Sequence, residues 1–340
     1  VASDVFPRLY DVVSVRTAEH VTVVALVVIL FDGGLDIGWR RVRNALAPIL
    51  SVGLAGTFLT AGAVALVCHV ALGLGWTVSG LVGAALAATD PAVTFAVLGG
   101  REIEGRSGTI LEGEAGFNDP AGIALMVGMI ELATHDDATA WVIGREFLVQ
   151  MGVGAAFGLI GTRLLSPALR RAPVLALPAA GLLYVLAALA GGSGFLAVFL
   201  MGLRLADDEL PVPRLQTTLA GVAEVVVFVA LGLTIHLDQI GVRGWWQGLL
   251  IAATLGLLIR PAVVALTLAR ADLGRNEKTF IAWSGLKGAV PILLAAMALL
   301  HHVDEGARIY ALVFVVVLVS VVGQGTLVPA VAARLRIPMR

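Results

Sequence analysis

The sequence predicts an all-α polytopic membrane protein with about eleven transmembrane helices, and three observations carry that expectation. Hydrophobic residues make up 59% of the 340 and charged residues only 14%, with a mean hydropathy of +0.95. That is far too apolar for a chain folded around water-exposed surfaces. Eleven apolar stretches approach the roughly 20 residues that cross a hydrocarbon core. The basic residues between them alternate from side to side, as the enrichment of Lys and Arg in cytoplasmic loops requires.

The stretches run 18–35, 45–72, 77–99, 108–133, 141–165, 174–190, 193–206, 217–237, 245–268, 279–300 and 309–333, the seventh being short. Arg40, Arg41 and Arg43 follow the first; Arg101 and Arg106 the third; Arg163, Arg170 and Arg171 the fifth; Arg204 and Arg214 the seventh; Arg270, Arg275 and Lys278 the ninth. Arg334, Arg336 and Arg340 close the chain, and the other side holds Arg8, Arg16, Arg243 and Arg308. This asymmetry of sixteen to four places the first residues outside and the tail 334–340 in the cytoplasm. Residues 1–17 lack the basic-then-apolar pattern of a signal peptide. Cys68, the single cysteine, lies in an apolar run and reads as packing.

Arg145, Arg260 and Lys287 are the basic residues left within spans. Arg145 is near a helix end and can reach the headgroups, whereas Arg260 and Lys287 need partners. Three acids also fall well inside spans: Asp90 in Ala87-Ala88-Thr89-Asp90-Pro91, then Glu114 and Asp119 in Glu114-Ala115-Gly116-Phe117-Asn118-Asp119-Pro120. An isolated charge at the bilayer centre costs on the order of 3 kcal/mol on insertion scales, so these groups must be paired or face water.

Pro91 removes a backbone donor and biases Asp90 away from helical geometry, so the third span is expected to break near mid-membrane. The freed carbonyls and the Thr89 hydroxyl can then coordinate a cation. Glu114 and Asp119 are five residues apart, which separates them by about 140° around a helix and gives them different neighbours. Asn118 offers amide oxygen and nitrogen without a titrating charge. Gly285-Leu286-Lys287-Gly288-Ala289-Val290-Pro291 repeats the pattern of an interrupted span, now with a positive charge. Two broken spans in the two halves suggest an inverted repeat, with Asp90 and Lys287 compensating the helix-end dipoles.

With these residues in place, the chain resembles the monovalent cation/proton antiporters, which include bacterial NhaP-type exchangers, potassium/proton antiporters and animal sodium/proton exchangers. The carriers of the resemblance are Phe31-Asp32-Gly33-Gly34-Leu35, Thr89-Asp90-Pro91, Glu114 through Pro120, Arg260-Pro261, and Gly285 through Pro291, all in order and each inside a span. It implies an inverted-repeat antiporter fold with two broken crossing helices, lacking two N-terminal helices of a thirteen-helix pattern. Residues 1–44 and 174–237 would then form a dimerising scaffold, 45–133 and 245–333 a mobile transport core, and 141–165 a linking helix. Asp119 looks like the carboxylate that binds either cation or proton, assisted by Thr89, Asp90 and Asn118. Glu114 looks like the structural partner of Arg260, and Lys287 stands where relatives more often have Arg. Asp32 is a peripheral acidic contributor or a cap on a cytoplasmic helix end. Ala115 stands where many relatives have Ser, which leaves the site one oxygen poorer unless water substitutes.

The resemblance implies electroneutral exchange of K⁺ or Na⁺ for H⁺ by alternating access, serving pH homeostasis in a cell (inner) membrane. It implies a homodimer and neither a cofactor nor a nucleic-acid partner. Two other readings are a secondary carrier of a small organic anion, against which the mid-membrane acids argue, and a membrane scaffold or channel subunit without coupled transport. An enzyme is disfavoured because His20, His69, His135, His236, His301 and His302 show no metal spacing. Trp245 and Trp246 read as interfacial anchors. Glu224, in the eighth span, has no partner legible in the sequence.

Overall fold

The computed structural model describes residues 13–90, 93–94, 97–98, 103–135, 137–208, 215–235, 237 and 240–339. Pro91, Arg8, Arg101, Arg214, His236 and Arg340, which enter the sequence reading, lie outside the described residues. Among the described residues the secondary structure is helical, apart from an isolated bridge between Ile103 and Met339.

The long helices are α1 (Val15–Ile37), α2 (Leu46–Leu72), α3 (Trp76–Ala87), α4 (Arg106–Thr134), α5 (Trp141–Leu169) and α6 (Pro173–Leu189). They continue with α7 (Gly194–Asp207), α8 (Leu215–Leu233), α9 (Gly241–Thr267), α10 (Arg275–Trp283), α11 (Ala289–Leu300) and α12 (Gly306–Leu335). Six of them, α1, α2, α5, α8, α9 and α12, are long and apolar enough to cross a membrane. Two apolar stretches of the sequence are divided rather than continuous. The third is helical to Ala87, after which Ala88 is extended and helix resumes at Val93 and Thr94, and the tenth splits into α10 and α11 with residues 284–288 between them.

Local chemistry sets several ends. Ser14 starts α1 by accepting from the Thr17 N–H at 3.1 Å, and Ser193 does the same for α7 through the Leu196 N–H at 3.2 Å. Gly73 ends α2 in the left-handed region at φ 68°, and its N–H returns to His69 O. Glu277 accepts from the Gly274 N–H at 2.8 Å and fixes the start of α10.

Helix α1 packs against α7 and α8, α2 against α3, α3 against α4 and α11, and α12 against α9 and α11. The α1–α7 crossing depends on two glycines. A Cβ on Gly34 would meet Gly202 Cα at 3.0 Å, and one on Gly202 would meet Gly34 Cα at 3.0 Å and Leu35 N at 3.1 Å. Gly202→Val is therefore expected to destabilise the chain by about 1–3 kcal/mol through overpacking, read as a lowered thermal midpoint in detergent. An unchanged midpoint would mean that the helices do not approach this closely.

Large apolar side chains point outward from α5, α6 and α8, among them Leu164, Leu189 and Val225. Lipid is the solvent that makes this surface favourable. Arg145 is about half exposed and pairs with Glu131 at 3.3 Å and Glu146 at 2.8 Å, as expected of a residue near a helix end.

Candidate functional site

The two breaks meet, and each supplies the charge that the other's helix end lacks. Asp90 N–H donates to Leu286 O at 2.8 Å, joining the two unwound segments by their backbones. Asp90 Oδ2 accepts from the Ala289 N–H at 3.3 Å, so a carboxylate sits on the positive N-terminus of α11. In return Lys287 Nζ donates to Ala87 O at 3.3 Å and Ala88 O at 2.8 Å, the negative C-terminal end of α3. A side chain at position 288 would collide with the Asp90 carboxylate, and one at 285 would meet Arg260 Cζ at 2.6 Å and Nη2 at 2.7 Å. The two glycines of the second motif are thus required by close approach. Gly288→Ala is expected to displace Asp90 from α11 and lower the yield of folded protein, measured by size-exclusion chromatography in detergent. Wild-type yield and elution would contradict this.

Helix α4 runs unbroken through Pro120, although Pro120 cannot supply the donor that a helix normally directs at the Gly116 carbonyl. Glu114 is 1% exposed and Arg260 3% exposed. Arg260 Nη1 donates to Glu114 Oε1 at 2.5 Å and Nη2 to Oε2 at 2.7 Å, a bidentate pair linking α4 to α9. Arg260 Nη2 also reaches Ile281 O at 3.4 Å.

Thr89 lies in the unwound segment that follows α3. Its hydroxyl donates to Glu114 Oε1 at 3.4 Å and accepts from Asn118 Nδ2 at 2.5 Å. It therefore links Asn118 to the Glu114–Arg260 pair. Asn118, committed through its nitrogen, keeps Oδ1 buried without a hydrogen-bond partner among the described residues. Asp119 is 5% exposed and its Oδ1 is likewise unpartnered among the described residues. Asp119 interacts electrostatically with Asp90, Lys287 and Glu114.

Asp32 is not a helix cap. It lies within α1, buried, and its Oδ1 accepts from the Thr217 hydroxyl of α8 at 3.3 Å. No hydrogen bond among the described residues joins it to Asp119, Asp90 or Lys287. Glu224, for which the sequence offered no partner, interacts electrostatically with Asp90. The buried helix crossing thus gathers three acids, Asp90, Glu114 and Asp119, with two bases, Arg260 and Lys287.

Sequence reasoning missed Thr94, Ser320 and Gln324. Thr94 Oγ1 donates to Ser284 O at 3.0 Å, Ser320 Oγ accepts from the Lys287 N–H at 2.9 Å, and Gln324 Nε2 donates to Trp283 O at 2.5 Å. The available signal was two polar residues, four apart, in a Val-rich run of the last span.

The sequence pattern of the family described as "Sodium/hydrogen exchanger, transmembrane" matches residues 9–334. The chain is 34% identical to the K⁺/H⁺ antiporter NhaP of Alkalimonas amylolytica, over 92% of this chain and 57% of that protein. It is 32% identical to the K⁺/H⁺ antiporter NhaP2 of Shewanella sp. (strain ANA-3), over 91% and 56%. It is 28% identical to the Na⁺/H⁺ antiporter ApNhaP of Aphanothece halophytica, over 90% and 63%. The chain thus spans little more than half the length of these curated relatives. Its fold is similar to that of the sodium proton antiporter MjNhaP1 of Methanocaldococcus jannaschii, with a TM-score of 0.81 and 24% identity over 95% of this chain and 88% of that one.

Proposed function

The chain belongs to the sodium/hydrogen exchanger family, and from that premise we propose that it is a secondary antiporter exchanging K⁺ or Na⁺ for H⁺ at Asp119. The observation that carries this reading is the charge balance of the buried crossing. Glu114 is matched by Arg260, while Asp90 and Lys287 each answer a helix end. Asp119 is left as the acid in excess, with an unpartnered buried oxygen. An ionised carboxylate in that position is too costly to move uncompensated, so it must hold a proton or a cation. Because one acid accepts either ligand, exchange is one for one and electroneutral.

Asn118 Oδ1 supports the reading as a second, uncharged ligand for the cation, with Thr89 holding the amide so that its oxygen is the free end. Residues 45–133 and 245–333 would move as the transport core against a scaffold of 1–44 and 174–237 that pairs two copies, with 141–165 linking them. Eleven crossings, an external start and a cytoplasmic C-terminal end in the inner membrane complete the proposal. The excess acid also disfavours an organic-anion carrier.

The test is dissipation of an imposed pH gradient in proteoliposomes by K⁺, Na⁺ and Li⁺, with small carboxylates in parallel. Proton movement driven by at least one monovalent cation and by no carboxylate is expected. Movement driven by a carboxylate alone, or by nothing, would refute the reading.

A further inference from the structure

We propose that Ser320 and Gln324 of α12 are positioning residues for exchange, clamping both sides of the α10–α11 break and so fixing Lys287 relative to Asp119. This rests on the reading of Asp119 as the exchange carboxylate.

Helix α12 is regular from Gly306 to Leu318 and then widens into a π-turn over Val319–Gln324, followed by a 3₁₀ turn at Gly325–Leu327. π-turns inside a helix occur frequently at functional sites, and this one carries two side-chain contacts to the break. Ser320 Oγ accepts the Lys287 N–H at 2.9 Å, on the unwound segment, and Gln324 Nε2 donates to Trp283 O at 2.5 Å, at the last residue of α10. Ser320 Oγ also lies 3.5 Å from Gln324 Oε1, at the outer limit of a hydrogen bond. Both are groups that an interrupted helix leaves without their usual partners.

The clamp faces a cavity of about 20 Å³ whose polar lining is Arg260, Lys287, Ser320 and Gln324, with Gly285 between them. That is room for a single water. Arg260 Nε, buried and unpartnered among the described residues, is one of the polar atoms at this position. Leu255 and Gly256, from a π-turn of α9 over Leu255–Ile259, also line it. The crossing is therefore backed by a small cavity with four polar side chains in its lining. Lys287 Nζ has its position set at one end by the α3 carbonyls and at the other by the backbone that Ser320 holds. Moving that backbone moves the ammonium, which interacts electrostatically with Asp119. The cation and the ammonium are both positive, so their spacing around Asp119 sets cation affinity.

Ser320→Ala, Ser320→Thr and Gln324→Met are compared with wild type in proteoliposomes at equal incorporated protein, measuring initial cation-driven proton flux over a cation concentration series. Ser320→Ala and Gln324→Met are expected to raise KM roughly fivefold, the scale of one lost hydrogen bond, with Vmax little changed. Ser320→Thr, which keeps the hydroxyl, is expected to retain the wild-type KM. In parallel, amide exchange of the 284–289 segment is expected to accelerate in Ser320→Ala and not in Ser320→Thr. Unchanged KM in both disrupting variants, or a loss of flux that only follows the loss of folded protein, would overturn the proposal. So would unchanged amide exchange. Absence of cation-driven flux in wild type would instead refute the antiport reading itself.

Discussion

Arg260→Met is expected to destabilise the folded chain by about 3–5 kcal/mol, because it leaves a buried carboxylate without its partner. Glu114 sits in α4 at 1% exposure, with both oxygens engaged by the guanidinium at 2.5 and 2.7 Å. The Thr89 hydroxyl, at 3.4 Å, is too distant and too weak a donor to compensate. Arg260→Lys is not expected to rescue, since an ammonium cannot bind both oxygens in a fork. The double variant Glu114→Gln with Arg260→Met is expected to recover part of the loss, because no unpaired charge remains. Thermal midpoints in detergent for wild type, Arg260→Met, Arg260→Lys, Glu114→Gln and the double variant decide this. Additive losses in the double variant would mean that the two residues act separately.

Asp119→Asn is expected to abolish exchange without lowering stability. The substitution keeps the shape of the side chain but removes the one negative charge that the crossing does not balance. Asn cannot take up and release a proton in exchange for a cation, so neither half of the cycle can run. Relief of the excess buried charge predicts a thermal midpoint equal to or above that of wild type. Loss of transport together with a lowered midpoint would assign Asp119 to architecture instead. The contrast with Arg260→Met is the useful feature: one variant fails to transport while folded, the other fails to stay folded.

Much of this arrangement was legible in the sequence because membrane solvent exaggerates the signals. A charge in an apolar span is conspicuous, and Asp90, Glu114, Asp119, Arg260 and Lys287 could be named on that ground alone. Five residues of separation assigned Glu114 and Asp119 to different neighbours, and the structure pairs Glu114 with Arg260. The crossed compensation of helix ends followed from the macrodipole, and Asp90 and Lys287 sit where it requires them. What stayed hidden were hydrogen bonds between residues far apart in sequence whose polarity is ordinary. Thr89 could be named as a hydroxyl at the break, but not its bond to Asn118. Asp32 could have capped a helix, yet it meets Thr217 from α8, 185 residues away. Spacing along a span reports which face a residue occupies, and only the packing of helices reports what that face meets.

The central claim is that one carboxylate, Asp119, carries both ligands. The most direct measurement is cation-driven proton flux in proteoliposomes containing wild type or Asp119→Asn at equal folded protein, with the membrane potential either free or clamped. Wild type is expected to dissipate an imposed pH gradient when K⁺ or Na⁺ is supplied, at a rate that clamping does not change, and Asp119→Asn is expected to give the rate of empty liposomes. Retained cation-driven flux in Asp119→Asn, or a wild-type rate that depends on membrane potential, would contradict it.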